Sequence, residues 1–145
     1  MSSLLQYENQ VEGAAARFFN TQGITATPAR DATDLGSDSV QVIYDYNGAL
    51  EDTRINRANV LEYDSHTGTL MVLVSTFRDS PTRHNERLGK IRALMLNGNH
   101  GLAANGYKFL DIQPLGASTT ESEETNQDQT TLQYEVKFSV DLKAI

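Results

Sequence analysis

Three histidines are the residues best suited to chemistry. His66 sits in a Ser-, Thr- and Asp-rich stretch that reads as a turn, His84 lies early in a helical segment, and His100 lies in a glycine- and asparagine-rich loop. An imidazole titrates near neutral pH and serves as a general base or a metal ligand. Neither role is built by the spacing. There is no His pair at i, i+4 and no H-E-x-x-H. His84-x-Glu86 matches the first half of a zinc deaminase signature, but the second half needs two cysteines and the chain has none. Gly89-Lys90 is followed by Ile91 rather than Ser or Thr, so it is no phosphate loop. G-x-S-x-G is absent. A Ser-His-Asp triad gathered from distant segments is defined by geometry rather than order, and it is the one catalytic route the letters leave open. The turn position predicts a solvated His66. The apolar helix face predicts a packed His84. The expectation is no enzyme, no catalytic residue, no cofactor and no metal.

The other chemistry is electrostatic. Arg78, Arg83, Arg87, Lys90 and Arg92 are five of the twelve Lys and Arg residues, offset locally by Asp79 and Glu86. Around them the chain is acidic, with nineteen Asp and Glu and a net charge of −7. Nucleic-acid binders normally carry a basic balance, so sequence-nonspecific DNA binding is not expected. Three readings of the basic strip stand: a solvated face with a Glu86–Lys90 pair at i, i+4, a face that docks on the acidic surface of an identical neighbour, and a lumen face lying passively beside DNA. The counter-charges for docking lie in Ser118–Thr131, where Glu121, Glu123 and Glu124 accompany Asp128 and no basic residue occurs. Leu50 and Ile55, in the poorly patterned stretch after Asn47-Gly48, would be exposed unless a neighbour covers them. The candidate inter-subunit residues are therefore Arg83, Arg87, Lys90, Leu50, Ile55, Glu121, Glu123 and Glu124.

The elements that must position these groups are set by periodicity. In Thr131–Lys143, Leu132, Tyr134, Val136, Phe138, Val140 and Leu142 alternate with polar residues. Such alternation puts the apolar groups on one face of a strand. The strand spans ~40 Å at about 3.3 Å per residue, enough to cross a domain of this size and to fix a sheet with one covered face. Leu4, Tyr7, Val11, Ala14, Ala15 and Phe18 form a helical stripe, so a helix is predicted over Leu4–Phe19, with Ser3 and Gln6 as a capping box and Gly13 as a point of close packing. Ser39–Tyr46, Arg57–Tyr63 and Thr69–Phe77 are predicted as an antiparallel three-strand meander, with a short edge strand at Ile24–Thr27 and a turn at Asp64–Gly68. Pro81–Leu96 reads as a second helix, with His84, Leu88, Ile91 and Met95 on one face. Tyr107–Ile112 is a strand closed by Pro114.

These elements make an α+β two-layer sandwich: a mainly antiparallel sheet of about five strands with two helices on one face. The 145 residues form a single domain, with a projecting arm at 47–56 and a mobile acidic loop at 118–131. The apolar run Leu70–Val74 is too short to cross a bilayer, and MSSLLQYENQ lacks the basic and apolar regions of a secretory signal, so synthesis in the cytoplasm and no membrane partner are expected.

The order of elements resembles a known family. An amphipathic helix, a meander ending VSTFRD, the helix Pro81–Leu96, a strand, a polar gap and the closing strand LQYEVKFSVDL are together similar to the tail terminator or tail completion proteins of long-tailed bacteriophages. The resemblance covers most of the chain and rests on order and pattern. It implies a structural virion protein assembled in the host cytoplasm. It implies a homo-oligomeric ring, usually of six copies, that caps the tail tube and joins it to the head or neck. The partners it implies are tube or sheath proteins and head-tail connector proteins. A head-completion or connector protein is the runner-up, and a small enzyme or ligand-binding module using a cleft near His100 and Asn105 is the rival from another class.

Overall fold

The computed structural model describes residues 6–29, 39–49, 54–55, 61–77, 81–96, 102–122 and 127–141. The elements run α1 (Tyr7–Thr21), β1 (Ala26–Pro28), β2 (Ser39–Ala49), β3 (Arg54–Ile55), β4 (Leu61–Phe77), α2 (Pro81–Leu96), β5 (Tyr107–Ser122) and β6 (Gln127–Asp141). One sheet holds all six strands in the order β1-β2-β4-β6-β5, with the two-residue β3 added on β4. Every pairing is antiparallel except β1 with β2. This is the expected α+β fold.

The closing strand is the one the sequence marks most clearly. β6 pairs with β4 from Tyr63–Asp141 to Phe77–Gln127 without a register shift, and on its other side with β5. Its Leu132, Tyr134, Val136, Phe138 and Val140 are buried, as are Leu70, Val72 and Val74 of β4 and Val40, Val42 and Tyr44 of β2. Paired residues share a face, so these side chains form one continuous apolar surface. Both helices lie on it. α1 contributes Val11, Ala14, Ala15, Phe18 and Phe19, and α2 contributes Leu88, Ile91 and Met95. A buried Phe or Leu of this kind stabilises the fold by roughly 1.5–3 kcal/mol. The other sheet face carries half-buried Ile43, Met71 and Leu73 among polar residues, so β4 is covered by helices on one side alone.

Several expectations change. α1 starts at Tyr7 with Gln6 at its N-cap and no side-chain cap bond, and Ser3, the expected cap, is not among the described residues. Gly13 is not a packing point against the sheet, because an added Cβ there would meet only the Arg17 guanidinium. The expected turn at Asp64–Gly68 is the middle of a 17-residue strand. Its composition is explained by packing: a Cβ on Gly68 would overlap the Tyr44 ring and the Asp45 carbonyl, so glycine is needed for size rather than for a bend. Asn47-Gly48, a pair whose residue types favour a tight turn, instead makes a bulge, because the β2–β4 register shifts between Tyr46 and Gly48. The meander is therefore two long strands plus β3, which sits on β4 in line with β2. Residues 56–60, the start of the expected strand, lie outside the described residues, as do Ser3 and Ser80.

Pro114 does not close β5, which continues through it to Ser122. β5 is an edge strand, where a missing N–H is tolerated, and a bulge at Leu115 absorbs the change of path. Consequently the segment 118–131, expected as a loop, is mostly ladder: Ser118–Thr131, Thr119–Thr130, Thr120–Gln129, Glu121–Asp128 and Ser122–Gln127 are paired.

Candidate functional site

The two described histidines are structural parts of the sheet–helix interface. His66 is buried, not solvated as its neighbours in sequence suggest. Its Nδ1 lies 2.6 Å from the Tyr46 hydroxyl, and its ring packs 4.3 Å from that of Tyr7 and 5.4 Å from that of Phe138, centroid to centroid. The strand that overrides the expected turn carries it under α1. His84 is buried as its helix position predicts, with Nδ1 2.9 Å from Thr76 Oγ1 and Nε2 2.8 Å from Thr130 Oγ1. Thr130 in turn lies 3.0 Å from Thr119 Oγ1. This chain of hydroxyls fastens the first turn of α2 to β4, β6 and β5. His100 lies outside the described residues. Among the described residues no group of three or more His, Asp and Glu side chains is placed to hold a metal, and no helix is long and apolar enough to cross a membrane.

Glu12 is a buried acidic side chain that the periodicity passes over. It lies on α1 yet is almost fully enclosed, and its Oε2 accepts the Tyr44 backbone N–H at 2.9 Å. β1 pairs with β2 only as far as Val42. Beyond that point β2 has no strand neighbour on this side among the described residues, and the carboxyl group of Glu12 takes the ladder position. Burial pushes the phenols of Tyr44, Tyr107 and Tyr134 above the ordinary tyrosine value, with nearby acidic and phenolic groups adding to the rise at Tyr44 and Tyr107. At Tyr134 the Arg92 guanidinium pulls in the opposite direction.

The candidate contact residues fall in three places. On α2, Arg83 and Lys90 are exposed, whereas Arg87 is half-buried and its Nη1 is shielded from solvent. Lys90 reaches Gly23, where an added Cβ would lie 3.4 Å from its Nζ. That point follows the C-terminus of α1, whose carbonyl ends favour a cation. Glu121 is exposed near the far end of β5. Glu123 and Glu124 lie outside the described residues, and so does Leu50. Ile55 pairs through its backbone with Leu61, at the opposite end of β4 from Thr76, the β4 neighbour of Asp128 and hence of the Glu121 rung. At about 3.3 Å per residue the two ends are ~50 Å apart. One copy of the chain therefore does not bring Ile55 and Glu121 together.

What the sequence does not reveal is a groove between the C-terminal half of α2 and the β5–β6 pair. Its volume is about 300 Å3, and Arg92, Leu96, Pro114, Gly116, Ala117, Leu132, Gln133 and Tyr134 line it. Only Arg92 brings a charge to an otherwise mainly apolar wall. Pro114-Leu115-Gly116 is the local signal for it in the sequence, but one indistinguishable there from a strand end.

No family model matches the chain, and no curated protein sequence matches it. Among solved structures, the fold is similar to that of a chain in the virion of a native gene transfer agent particle, with a TM-score of 0.54 at 12% identity. The likeness covers 93% of this chain and 94% of the other. At that identity what the two share is the fold.

Proposed function

We propose that the chain is a structural virion protein of the tailed-phage kind, not an enzyme. Its role in this reading is to form a homo-oligomeric ring, six copies in the arrangement typical of tail terminators. The ring closes the tail tube and offers the head or neck a joining surface. The observation that carries the reading is the fold match to a virion chain, which runs nearly end to end in both proteins. An inserted domain or a shared fragment would leave much of one chain uncovered.

Two features of the molecule support it. Its buried histidines hold elements together and do not face an open cleft. Ile55 and Glu121, two of the candidate contact residues, lie at opposite ends of the sheet. Surfaces at opposite ends suit head-to-tail contact, in which two different patches meet, and repeated head-to-tail contact closes a ring when the rotation allows.

The test is assembly. Mass measurement over a concentration series should find one defined oligomer, and micrographs of it should show rings. Incubation with purified tails lacking their terminator should place the rings at the open tube end. Rings that bind purified heads and ignore tails would assign the neck position of a connector. A chain that stays monomeric and ignores both particles would end the proposal.

A further inference from the structure

The two borders of the sheet are built differently. At one, β1 is three residues long and ends in Pro28, and past its end the Glu12 side chain accepts the Tyr44 N–H. A short strand, a proline and an occupied amide all discourage a further strand from adding. At the other, β5 is the last strand, and among the described residues none lies beside its outer edge. Its first half is interrupted by bulges at Leu110 and Leu115, since the register skips from Phe109 to Asp111 and from Pro114 to Gly116. From 116 to 122 the ladder to β6 is regular. This stretch holds no proline and no basic residue, and Glu121 is its one charge. Every residue from 113 to 121 is exposed. A regular strand paired on one side alone presents a row of N–H and C=O groups on the other, which is a template for one more strand.

The groove lies directly against this edge. Pro114, Gly116 and Ala117 of β5 form one wall, and Arg92 and Leu96 of α2 form another. Ala117 pairs with Leu132 and Pro114 with Tyr134, both buried under the helices, so Ala117 and Pro114 lie on the helix side of the sheet. On a strand added beside β5, every second side chain points to that same side. One of them opposite Ala117 enters the groove, whose volume of about 300 Å3 and mainly apolar wall suit a leucine-sized group. A side chain two positions farther on, about 7 Å away along the strand, comes within reach of the exposed Arg92.

We infer that the free edge of β5 takes an extended segment of another protein by strand addition, with an apolar side chain in the groove and a carboxylate two residues away on Arg92. Backbone hydrogen bonds supply affinity in this mode, and pockets for alternate side chains supply the choice of sequence. A second copy of the chain does not meet the description. Its one comparable edge among the described residues is its own β5, which would bring Ala117, Thr119 and Glu121 to the helix side, none of them a large apolar group. Strand addition here serves a ring or a lone chain alike.

The probe is an end-blocked, fluorescein-labelled peptide of threonines, as long as the 116–122 edge, carrying one leucine and a glutamate two positions on. It should bind the full chain saturably, read by anisotropy. Two further peptides are methylated on alternate backbone nitrogens, one on the even positions and one on the odd. Strand addition turns only one of these sets toward β5, so one peptide should lose binding about tenfold or more and the other should keep it. Serine in place of the leucine should cost about tenfold or more. Arg92→Glu should weaken the glutamate peptide by a similar factor and leave a glutamine version within about twofold. Ala117→Phe, at an exposed position, should fill the groove and weaken binding with an unchanged melting temperature. The peptide comparisons stand on their own if that variant fails to fold. No saturable binding, or equal loss from both methylated peptides, would overturn strand addition. Indifference to the leucine and to Arg92→Glu would overturn the part given to the groove. Self-association of the chain that the peptide competes away would assign the edge to a second copy and overturn the choice of partner. Each of these results reads the same whether or not the chain forms rings.

Discussion

Gly68 shows how much one side chain's absence can decide. The Tyr44 ring occupies the space its Cβ would take, and the Tyr44 hydroxyl donates to the Val136 carbonyl at 3.3 Å. Gly68→Val should destabilise the fold by ~1–3 kcal/mol or more, the cost of overpacking a filled core, read as a lower urea midpoint. Glu12 is the polar counterpart. Glu12→Ala leaves the Tyr44 amide buried without its acceptor and should cost ~1–3 kcal/mol, whereas Glu12→Gln keeps an acceptor oxygen and should cost less. The same tyrosine sets a pH limit. Its phenol is raised above the ordinary value of 10.0 by burial, as is that of Tyr107. A group whose folded-state value is raised contributes its full stability below the unfolded value and loses it as the pH climbs toward the folded one. Urea midpoints should therefore be flat up to about pH 9 and fall above pH 10, where the unfolded chain ionises tyrosines that the folded chain keeps protonated. Tyr44→Phe should lower the neutral-pH midpoint slightly and make the alkaline fall shallower.

At the scale of elements, α2 is held at its start by hydrogen bonds and farther along by apolar packing. His84→Ala removes two bonds to hydroxyls in strands β4 and β6 and should cost ~1–3 kcal/mol. Hydrogen exchange should then speed up in the first turns of α2 before the rest of the helix. His84 was legible because a helical stripe places it among Leu88, Ile91 and Met95. β6 was legible because period-two alternation is hard to produce by any other means. The errors share a cause. Asp64–Gly68, Asn47-Gly48 and Pro114 carry turn chemistry, yet each lies inside a strand because tertiary contacts outweigh local preference. Gly68 serves the Tyr44 ring, Gly48 follows a bulge, and Pro114 lies on an edge. Glu12 and the groove were not legible at all. The first depends on where β1 stops beside β2, and the second on the gap between α2 and β5, and neither distance is written in any local window.

For the whole molecule, the basic strip divides into parts with different work. Arg87 has a shielded nitrogen and Lys90 sits by the end of α1, whereas Arg83 is exposed near the start of α2 and Arg92 lines the groove. Arg83→Glu combined with Arg92→Glu should slow assembly of the ring and weaken its salt dependence, with an unchanged melting temperature, because rim charges act chiefly on association rate. Arg87→Glu should instead lower the melting temperature.

β6 lies between β4 and β5 in space but follows both in the order of synthesis. Until residues 127–141 leave the ribosome, β4 and β5 have no strand to separate and join them, and each presents an edge of unpaired backbone N–H and C=O groups. Nascent chains should therefore be held by chaperones up to that point and fold only once β6 has emerged, by a slow step dominated by distant pairing. A message broken ahead of Gln127 should yield insoluble product rather than a smaller folded protein, so damaged transcripts would leave no defective copies able to enter an assembly.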